Sequence, residues 1–416
     1  MSTTRRALLA AGAGLALARP ALAQAAPKVV VIGGGFGGAT AARALRRGGL
    51  DVTLVEVNPT YTACPFSNEV IAGLQPIAAQ RFGYEGVAHA GIRVVHAAAT
   101  GIDANARRVA LADGTTLPYD RLVLSPGVDL RFDAVPGYDE AAATQMPHAW
   151  KAGEQTLLLA RQLEAMPEGG TVVLSVPGNP YRCPPGPYER ASLIAHVLKT
   201  RKPRAKLIVL DAKDTFSKQR LFQAAWAQLY PDQLEYVPLA GGGQVSAVDP
   251  AAMIVRTDFA EYKADVACII PPQRAGKIAA IAGVADRSGW CPIDPVTFES
   301  RIVPGIHVIG DAAVAGAMPK SAFSANAQAK VCADAVIDLL AGRAPETPKL
   351  INTCYSLVAP GYGISVAGVY HPAGGVLADV EGAGGTSPLD APMSLRAQEA
   401  LYAADWYRTI TRQVFG

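Results

Sequence analysis

Residues Lys28–Gly38 read KVVVIGGGFGG, and this stretch decides the fold of the chain. Its apolar run Val29–Ile32 is typical of a strand buried inside a parallel sheet. Gly33, Gly35 and Gly38 then follow the spacing G-x-G-x-x-G. In this pattern the first glycine permits a tight turn, the second lets the backbone approach a pyrophosphate, and the third lets a helix pack on the strand. The stretch therefore predicts a turn that binds a dinucleotide.

The residues after this turn complete a βαβ unit. Ala39–Arg47 has helical composition, and Asp51–Val57 predicts the second strand. The amino terminus of such a helix faces phosphates with unpaired N–H groups and a favourable dipole. Glu56 lies at the end of the second strand, where a carboxylate accepts hydrogen bonds from ribose hydroxyls. With the acid at this spacing, the glycine pattern becomes a specific signal for an adenine dinucleotide.

Two later segments favour FAD over NAD. Tyr119–Gly127 (YDRLVLSPG) resembles the strand-and-glycine segment of flavoproteins that have two dinucleotide-binding domains. Gly310 and Asp311 end an apolar strand predicted at Ile302–Gly310, and they resemble the second FAD motif of those proteins, in which the aspartate holds the ribityl chain. The order and spacing of these segments predict an FAD cofactor.

A second α/β unit follows, but its turn is different. A strand at Thr171–Val176, a helix near Glu189–Lys199 and a strand at Lys206–Leu210 are predicted. The turn between them, Pro177–Pro185 (PGNPYRCPP), is rich in proline, which offers no N–H to a phosphate and crowds its approach. We therefore predict that this unit does not bind a nicotinamide nucleotide and that NADH is not the electron donor.

These elements predict an α/β fold with two Rossmann-like dinucleotide-binding domains, one interrupted by the other, and a carboxy-terminal interface domain. Other predicted elements are strands at Ile92–Ala97, Arg107–Leu111 and Arg121–Ser125, a helix at Ala322–Leu340, and extended segments around Tyr355–Val369. The predicted boundaries are 28–136 together with 271–345 for the FAD-binding domain, 137–270 for the second Rossmann-like domain, and 346–416 for the carboxy-terminal domain.

Residues 1–23 predict a twin-arginine export signal. Arg5 and Arg6 precede a short apolar core at Leu8–Ala18, and Ala21–Ala23 is a small-x-small cleavage site. The apolar run is shorter than the roughly 20 residues of a membrane span. The chain has 38 basic and 35 acidic residues, and three arginines of the signal account for that excess, so no net field favours nucleic acid. We expect a periplasmic protein without a membrane span.

The six cysteines do not form a metal or haem motif. They show no C-x-x-C or histidine-rich spacing, and no C-x-x-C-H is present, so any haem has to come from a partner chain. Cys268, Cys291 and Cys332 are interpreted as structural, although Cys291 lies in an ambiguous segment. Cys183 and Cys354 lie in proline-rich and glycine-rich loops, in a compartment that permits a specific disulfide.

Besides the glycine turn, six segments of the chain are distinctive: TACPFSNEV (62–70), YRCPPGPYE (181–189), GWCPIDPVTFES (289–300), GDAAVAGAMPKSAFSANAQAK (310–330), INTCYSLVAPGYGISV (351–366) and WYRTITRQVFG (406–416). Through these segments, nearly the whole predicted mature chain resembles the flavoprotein subunit of flavocytochrome c sulfide dehydrogenase, a family related to sulfide:quinone oxidoreductase. The resemblance implies a fold of the disulfide-reductase type and a c-type cytochrome subunit as the electron-accepting partner.

The same resemblance implies roles for the other three cysteines. Cys64 corresponds to the cysteine whose sulfur is joined to the 8α-methyl carbon of the flavin. Cys183 and Cys354 correspond to a redox disulfide beside the flavin. Sulfide would attack one of the two sulfurs, and an electron pair would then pass to the flavin. Any one of these cysteines could instead be a small buried hydrophobic residue.

Three further residues complete the predicted site. Lys320 and Ser321 precede a helix that, in this family, points its amino terminus at the flavin, so the lysine and the helix N–H groups would stabilise the charge of reduced flavin. Glu189 follows Cys183 by six residues at the start of a helix. It is either a base that accepts a proton from H2S or a persulfide, or a partner of the helix dipole. Both readings remain open.

The tail carries an amphipathic stripe, which Glu399 interrupts. Its apolar members are Leu395, Tyr402, Trp406, Ile410 and Val414. Carboxy-terminal amphipathic helices hold quinone-reducing relatives on the membrane, whereas packing against a domain or a partner chain is favoured here. The leading hypothesis is thus a periplasmic sulfide dehydrogenase flavoprotein that delivers electrons to a cytochrome. The alternatives are a sulfide:quinone oxidoreductase and a flavin-bearing subunit that activates a sulfur-oxidising complex without turnover of its own.

Overall fold

The computed structural model describes residues 25–416, and the predicted export signal lies outside them. The first segment contains β1 (Lys28–Ile32), α1 (Phe36–Arg47), β2 (Asp51–Val55), β3 (Tyr61–Thr62), α2 (Ser67–Ile71), β4 (Arg81–Phe82), α3 (Glu85–His89), β5 (Arg93–Val95), β6 (Ala99–Asp103), β7 (Arg108–Leu111), β8 (Thr116–Pro118), β9 (Arg121–Leu124) and β10 (Val128–Leu130). β1 pairs in parallel with β2 and β9, and its side chains from Val29 onward are buried, as expected of a central parallel strand.

The second segment builds a separate parallel sheet. It contains α4 (Glu154–Ala165), β11 (Thr171–Val176), α5 (Gly186–Arg201), β12 (Lys206–Asp211), α6 (Gln219–Leu229), β13 (Leu234–Val237), β14 (Val245–Asp249), β15 (Ile254–Thr257), β16 (Glu261–Lys263) and β17 (Val266–Ile269). The parallel strands lie in the order β13-β12-β11-β17, and β14, β15 and β16 form a small antiparallel sheet.

The chain then returns to the first sheet. This segment contains β18 (Gln273–Ala275), α7 (Ile278–Ile281), β19 (Cys291–Pro292), β20 (Ile306–Val308), β21 (Ala313–Val314) and α8 (Ala322–Leu340). β20 pairs in parallel with β9, so the first sheet has the order β20-β9-β1-β2-β5. α8 packs on α1, and the two helices share a 2.8 Å hydrogen bond from Asn326 to Thr40. The predicted α/β class, with one Rossmann-like unit interrupted by another, is confirmed; the exact domain boundaries stay predictions.

The carboxy-terminal segment is an antiparallel sheet covered by a helix. It contains β22 (Leu350–Ala359), β23 (Tyr362–Ala373), β24 (Val376–Asp379), β25 (Gly385–Thr386) and α9 (Met393–Phe415). α9 packs against β23 and α1, and Ile410 and Val414 of the predicted stripe are buried. Tyr402 was expected on that stripe but is 50 % exposed, because the buried face passes through Ala403 and Tyr407. No helix within residues 25–416 is both long and apolar enough to cross a membrane.

Most predicted elements lie within two residues of their observed positions, and three differ more. One of them, α1, begins at Phe36, three residues before the predicted Ala39. The strand expected at Ile302–Gly310 is limited to Ile306–Val308. Pro304 supplies no N–H to a sheet ladder and Gly305 has φ +81°, so the chain turns before the strand. α5 begins at Gly186, earlier than Glu189, because Pro187 is tolerated in the first turn of a helix.

Candidate active site

A cavity of about 720 Å³ lies between the first sheet, the turn before α5 and the carboxy-terminal hairpin. It brings together ten of the predicted site residues: Gly33, Gly35, Glu56, Cys64, Cys183, Glu189, Gly310, Asp311, Ser321 and Cys354. The residues predicted to bind the cofactor and the cysteines predicted to react with sulfide therefore line one cavity, although they come from every segment of the chain. Gly38 and Lys320 are not among the residues that line it.

The glycine turn forms one end of the cavity. Gly33 has φ +97°, a conformation that residues with a side chain rarely adopt. A Cβ atom at Gly38 would lie 1.8 Å from the carbonyl oxygen of Gly33, so only glycine lets α1 pack this close to the turn. The amino terminus of α1 therefore faces the cavity with free N–H groups, as a pyrophosphate requires.

The carboxylate of Glu56 is fixed at the carboxyl end of β2. Its Oε2 accepts a 2.7 Å hydrogen bond from the N–H of Gly34, and its Oε1 accepts a 2.9 Å hydrogen bond from the N–H of Asn58. Both contacts hold the carboxylate at the cavity wall. The side-chain amide of Asn58 also donates a 3.1 Å hydrogen bond to Oε1. Because a carboxylate has about four lone-pair sites, Glu56 can still accept a hydrogen bond from a ribose hydroxyl.

The opposite end of the cavity is built around the start of α8. Asp311 lines the cavity, and burial raises the pKa of its carboxyl group, while Arg182 and Lys320 oppose that shift. Trp150 also lines the cavity, and its indole N–H is buried without a partner in the described part of the chain. An acid and an unpaired donor of this kind fit a bound polar group, so the residues present are suited to FAD.

The ammonium of Lys320 is bonded inside its own loop. Its ammonium donates hydrogen bonds of 2.7 Å and 2.8 Å to the carbonyl oxygens of Asp311 and Ala313, and it lies 4.0 Å from the centre of the Trp290 ring. Burial lowers the pKa of this ammonium to about 8. The ammonium is held inside the loop, and Lys320 does not line the cavity, so its stabilisation of reduced flavin stays a prediction. Ser321 does line the cavity and caps α8, accepting a hydrogen bond from the N–H of Ser324.

Cys64 lies next to a cationic side chain that the sequence analysis missed. Its Sγ is 3.8 Å from the carbonyl oxygen of Trp150, and the guanidinium of Arg182 donates to that same oxygen. Burial opposes the charge of Arg182, but Cys64, Asp311 and Tyr61 together raise its pKa above the ordinary value. Arg182 thus supplies a positive charge beside Cys64. Its place in YRCPPGPYE, directly before Cys183, was the signal that could have revealed it.

Cys183 and Cys354 reach the same cavity from different segments. Cys183 lies in the turn before α5 with φ +56°, and Cys354 lies on β22. Burial raises the pKa of the Cys183 thiol, and the nearby Cys354 is the next largest cause. The two sulfurs are unbonded thiols in this structure, so the disulfide between them stays a prediction.

Within the described chain, the carboxylate of Glu189 bonds to two other segments and to no N–H group of its own helix. Its carboxylate accepts hydrogen bonds from Asn68 Nδ2 at 2.8 Å and from the N–H of Leu357 at 2.7 Å. Burial raises its pKa, while these two hydrogen bonds oppose the shift. Because the carboxyl group lines the cavity and bonds across to two other segments, the geometry favours a base over a partner of the helix dipole. Burial, followed by the charge of Glu189, raises the pKa of the neighbouring Glu69 to about 7.

In the second Rossmann-like sheet, the acidic residue in the position that corresponds to Glu56 is Asp211, and its carboxylate is already bonded to other side chains. Asp211 ends β12 and is fully buried. Its carboxylate accepts hydrogen bonds from Tyr188 at 2.6 Å and Tyr236 at 3.0 Å, and it forms a 2.6 Å ion pair with Lys213. The ring of Phe216 stacks on Tyr188 at 3.5 Å between centroids. These contacts leave Asp211 no access to a ribose, in agreement with the proline-rich turn beside it.

Comparison with known families gives three matches along the chain. The family model described as pyridine nucleotide-disulphide oxidoreductase matches residues 27–160. The model of the central part of the sulfide dehydrogenase (flavocytochrome c) flavoprotein chain matches residues 156–271. The flavin-binding model of flavocytochrome c sulphide dehydrogenase matches residues 346–415.

Comparison with individual proteins gives further matches. The sulfide dehydrogenase (flavocytochrome c) flavoprotein chain of Chlorobaculum thiosulfatiphilum is 53 % identical over 45 residues, which are 10 % of this chain and 94 % of that one. An NADH dehydrogenase-like protein of Mycobacterium tuberculosis is 35 % identical over 123 residues, 27 % of this chain and 30 % of that one. The structure of the sulfide:quinone oxidoreductase of Aquifex aeolicus superposes with a TM-score of 0.74 at 18 % identity, covering 93 % of this chain and 92 % of that one. That likeness shows the fold alone.

Proposed function

Because the chain belongs to the family of flavocytochrome c sulfide dehydrogenase flavoproteins, we propose that it oxidises sulfide through Cys183, Cys354 and FAD in the periplasm and passes the electrons to a c-type cytochrome subunit. The chain is a flavoprotein oxidoreductase, and the proposal concerns its thiols, its partner and its compartment. The observation that carries it is the opening of Cys183, Cys354 and Glu189 into the cavity that also holds the dinucleotide turn.

The proposed reaction needs a pair of sulfurs, a base and an electron acceptor. Conversion of HS⁻ to zero-valent sulfur releases two electrons and one proton. A disulfide between Cys183 and Cys354 would take part by exchange, since a thiolate-like nucleophile attacks one sulfur and displaces the other. Glu189 lies at the same cavity wall and would accept the proton. Bound FAD supplies the acceptor for the electron pair.

The FAD is proposed to be attached through Cys64. The guanidinium of Arg182 places a positive charge beside the sulfur of this cysteine. Gly33, Gly35 and Glu56 would hold the adenine-dinucleotide part, while Gly310, Asp311 and the helix end after Ser321 would hold the flavin part. Attachment would keep the cofactor in place in an exported protein.

The proposed cytochrome partner is supported by the matched family and by a pair of aromatic rings that line the cavity. The matched family consists of flavoprotein chains of a flavocytochrome c. At the rim, the rings of Phe323 and Trp406 lie nearly parallel at 6.1 Å, and both line the cavity while remaining partly exposed. A partly exposed aromatic pair next to the cofactor cavity suits the docking of an electron-accepting protein. The periplasmic location is supported by the twin-arginine pattern in the sequence.

Two experiments test the proposal. Purified holoprotein is mixed anaerobically with sulfide, and reduction of cytochrome c is compared with reduction of a soluble quinone analogue. We expect turnover with cytochrome c; turnover with quinone alone would instead support the sulfide:quinone oxidoreductase alternative, and no turnover with either would support a non-catalytic flavin-bearing subunit.

The second experiment replaces the cysteines. Cys183→Ser and Cys354→Ser should each nearly abolish sulfide oxidation while FAD remains bound. The losses should not add in the double variant, because residues that act as a unit are non-additive. Cys332→Ala is the matched control, since Cys332 is buried on α8 away from the cavity. Near-normal turnover of Cys354→Ser would remove the disulfide mechanism.

A further inference from the structure

The surroundings of the two cavity sulfurs are unequal. Asn352 lies two residues before Cys354 on β22 and is buried. Its Nδ2 donates a hydrogen bond to Cys354 Sγ at 3.2 Å. In residues 25–416, no hydrogen bond to the sulfur of Cys183 is present. Within the described residues, an N–H donor therefore contacts the sulfur of Cys354 but not the sulfur of Cys183.

The orientation of the Asn352 amide is fixed by the start of α8. Its Oδ1 accepts hydrogen bonds from the hydroxyl of Ser321 at 2.6 Å and from the hydroxyl of Ser324 at 3.1 Å. These contacts use the oxygen side of the amide and leave the NH2 group directed at the sulfur. Ser321, which the sequence predicted as a cofactor contact, therefore also orients the donor of Cys354.

A buried ammonium also lies beside Cys354. Nζ of Lys218 donates hydrogen bonds to the carbonyl oxygen of Cys354 at 2.9 Å and to the hydroxyl of Ser356 at 2.8 Å. Lys218 is 7 % exposed, and no carboxylate of the described chain lies within ion-pair distance of it. Burial lowers the pKa of this ammonium to about 8, and Cys354 is the largest of the neighbouring charges that oppose the shift. A buried cation held only by neutral groups is suited to a nearby anion that appears during the reaction.

Other charged and titratable groups face this ammonium and the Cys354 sulfur. Glu189 approaches from α5 and Cys183 from the turn before it, Glu399 approaches from α9, and Tyr370 lies on β23. Glu399 is already paired with Arg396 at 3.5 Å, and the carboxylate of Glu189 is held by Asn68 and Leu357. The negative groups disfavour an additional anion at this position, so Lys218 and the Asn352 amide are needed to offset them.

We propose that Asn352 and Lys218 stabilise the sulfur of Cys354 as a thiolate, so that sulfide attacks the sulfur of Cys183. The proposal rests on the proposed function, because it assumes that the two cysteines form a disulfide. In the attack, a bond forms between the sulfur of HS⁻ and Cys183 Sγ, and the bond between Cys183 Sγ and Cys354 Sγ breaks. The electron pair of the broken bond stays on Cys354 Sγ, and the proton stays on the new persulfide until Glu189 accepts it.

The direction of attack follows from the leaving group. In thiol–disulfide exchange the sulfur whose thiolate is more stable leaves faster. Cys354 has an N–H donor on its sulfur and a cation near its backbone, whereas burial disfavours a thiolate at Cys183. Asn352 touches the reacting sulfur directly, and Lys218 acts as a positioning residue through the carbonyl oxygen of Cys354 and through its charge.

The position of attack can be read from the unmodified holoprotein. The oxidised protein is mixed anaerobically with one equivalent of sulfide, alkylated at once, and digested for peptide mass analysis. The extra sulfur atom is expected on the peptide that contains Cys183, and an extra sulfur on the Cys354 peptide overturns the proposal. If neither peptide gains sulfur and the flavin stays oxidised, the proposed function itself fails, which distinguishes that failure from a wrong direction of attack.

The thiolate assignment is tested on the reduced protein with Lys218→Met, which keeps an unbranched side chain of nearly the same length and removes its charge. The rate of alkylation at Cys354 is followed against pH by peptide mass analysis. In Lys218→Met we expect the midpoint of this alkylation profile to rise by about one pH unit, which is a roughly tenfold loss of thiolate at neutral pH. In Lys218→Arg the midpoint should return to that of the parent protein. Ser356→Ala removes a neutral partner of the ammonium, so its midpoint should stay near that of the parent. An unchanged midpoint in Lys218→Met, with flavin still bound, would show that Lys218 is only structural.

Discussion

The backbone N–H of Cys183 donates a 2.8 Å hydrogen bond to the carbonyl oxygen of Lys320. This contact ties the proline-rich turn of the second Rossmann-like unit to the loop that precedes α8 in the first unit. Cys183 has φ +56°, a strained conformation for a residue with a side chain. Contacts such as this hydrogen bond are needed to hold it there. Lys320 thus contributes to the site through its backbone, while its ammonium is used inside its own loop.

We predict that FAD remains attached to the denatured chain through Cys64. Acid precipitation should leave the yellow colour in the pellet, and the intact mass should include one FAD. Cys64→Ser should release the colour into the supernatant, whereas Cys332→Ala should not. Free FAD in the supernatant of the unmodified protein would exclude the covalent bond.

We predict that NADH does not reduce the protein. The proline-rich turn offers few N–H groups to phosphate, and Asp211 is already paired with Lys213, Tyr188 and Tyr236. Anaerobic mixing with NADH should leave the spectrum of oxidised flavin unchanged for minutes, while sulfide should bleach it. Rapid bleaching by micromolar NADH would contradict this prediction.

Replacement of Glu189 should change the pH dependence of sulfide oxidation. Because burial raises the pKa of Glu189, the carboxylate form that accepts a proton is lost as the pH falls through this raised value. Glu189→Gln should lower turnover by about 10²-fold or more and abolish the acidic limb of the kcat profile. Glu85→Gln, at an exposed carboxyl group on α3, is the control. An acidic limb that persists in Glu189→Gln would assign the base to another residue.

Glu69→Gln should make the stability of the protein less dependent on pH. The pKa of Glu69 is about 7 in the folded chain against 4.5 ordinarily, so the folded state holds a proton that the unfolded chain loses. The stability that this proton contributes is fully present below the ordinary pKa of 4.5, and it is lost as the pH rises through the folded pKa of about 7. The neutral glutamine avoids that loss. The free energy of unfolding of variant and parent holoprotein is measured with urea above pH 7 and in acid. The difference between variant and parent should be about 1–3 kcal/mol more in favour of the variant above pH 7 than in acid. An equal difference at both pH values would contradict the raised pKa of Glu69.

Gly38→Ala should prevent the assembly of the dinucleotide turn. The added Cβ atom would lie 1.8 Å from the carbonyl oxygen of Gly33, so α1 has to move away from β1. The expected result is a loss of stability above about 4 kcal/mol, or failure to fold with FAD. Gly385→Ala is the matched control, since a Cβ atom there meets no atom within 4 Å. Normal FAD content and stability of Gly38→Ala would contradict the assigned close packing.

The glycine turn and the apolar strands could be predicted from the sequence because their causes are local. Val29–Ile32 has to be buried on both faces, and the spacing of Gly33, Gly35 and Gly38 satisfies one turn geometry. For the same reason the helix at Ala322–Leu340 was predicted with its observed bounds. The strand at Ile306–Val308 was predicted too long, because the turn at Gly305 shortens it.

The residues around the sulfurs could not be predicted in this way, because their roles depend on contacts between distant segments. Asn352 meets Cys354 within one strand, but its amide is oriented by Ser321 and Ser324 on α8. Lys218 lies 136 positions from Cys354 and has no motif around it that announces a charge at the cavity. Burial then gives these groups their electrostatic effect, and burial is a property of the packed chain.

The sequence by itself determined the fold class, the dinucleotide turn and the family, since these rest on local spacing and on long matching segments. Only the tertiary structure decided which of the predicted residues share one cavity, that the ammonium of Lys320 is turned into its own loop, and that Cys183 and Cys354 have unequal surroundings. The physical reason is that a hydrogen bond or a charge acts over a few ångströms in space, and the sequence gives no measure of that distance until the sheets and helices have packed.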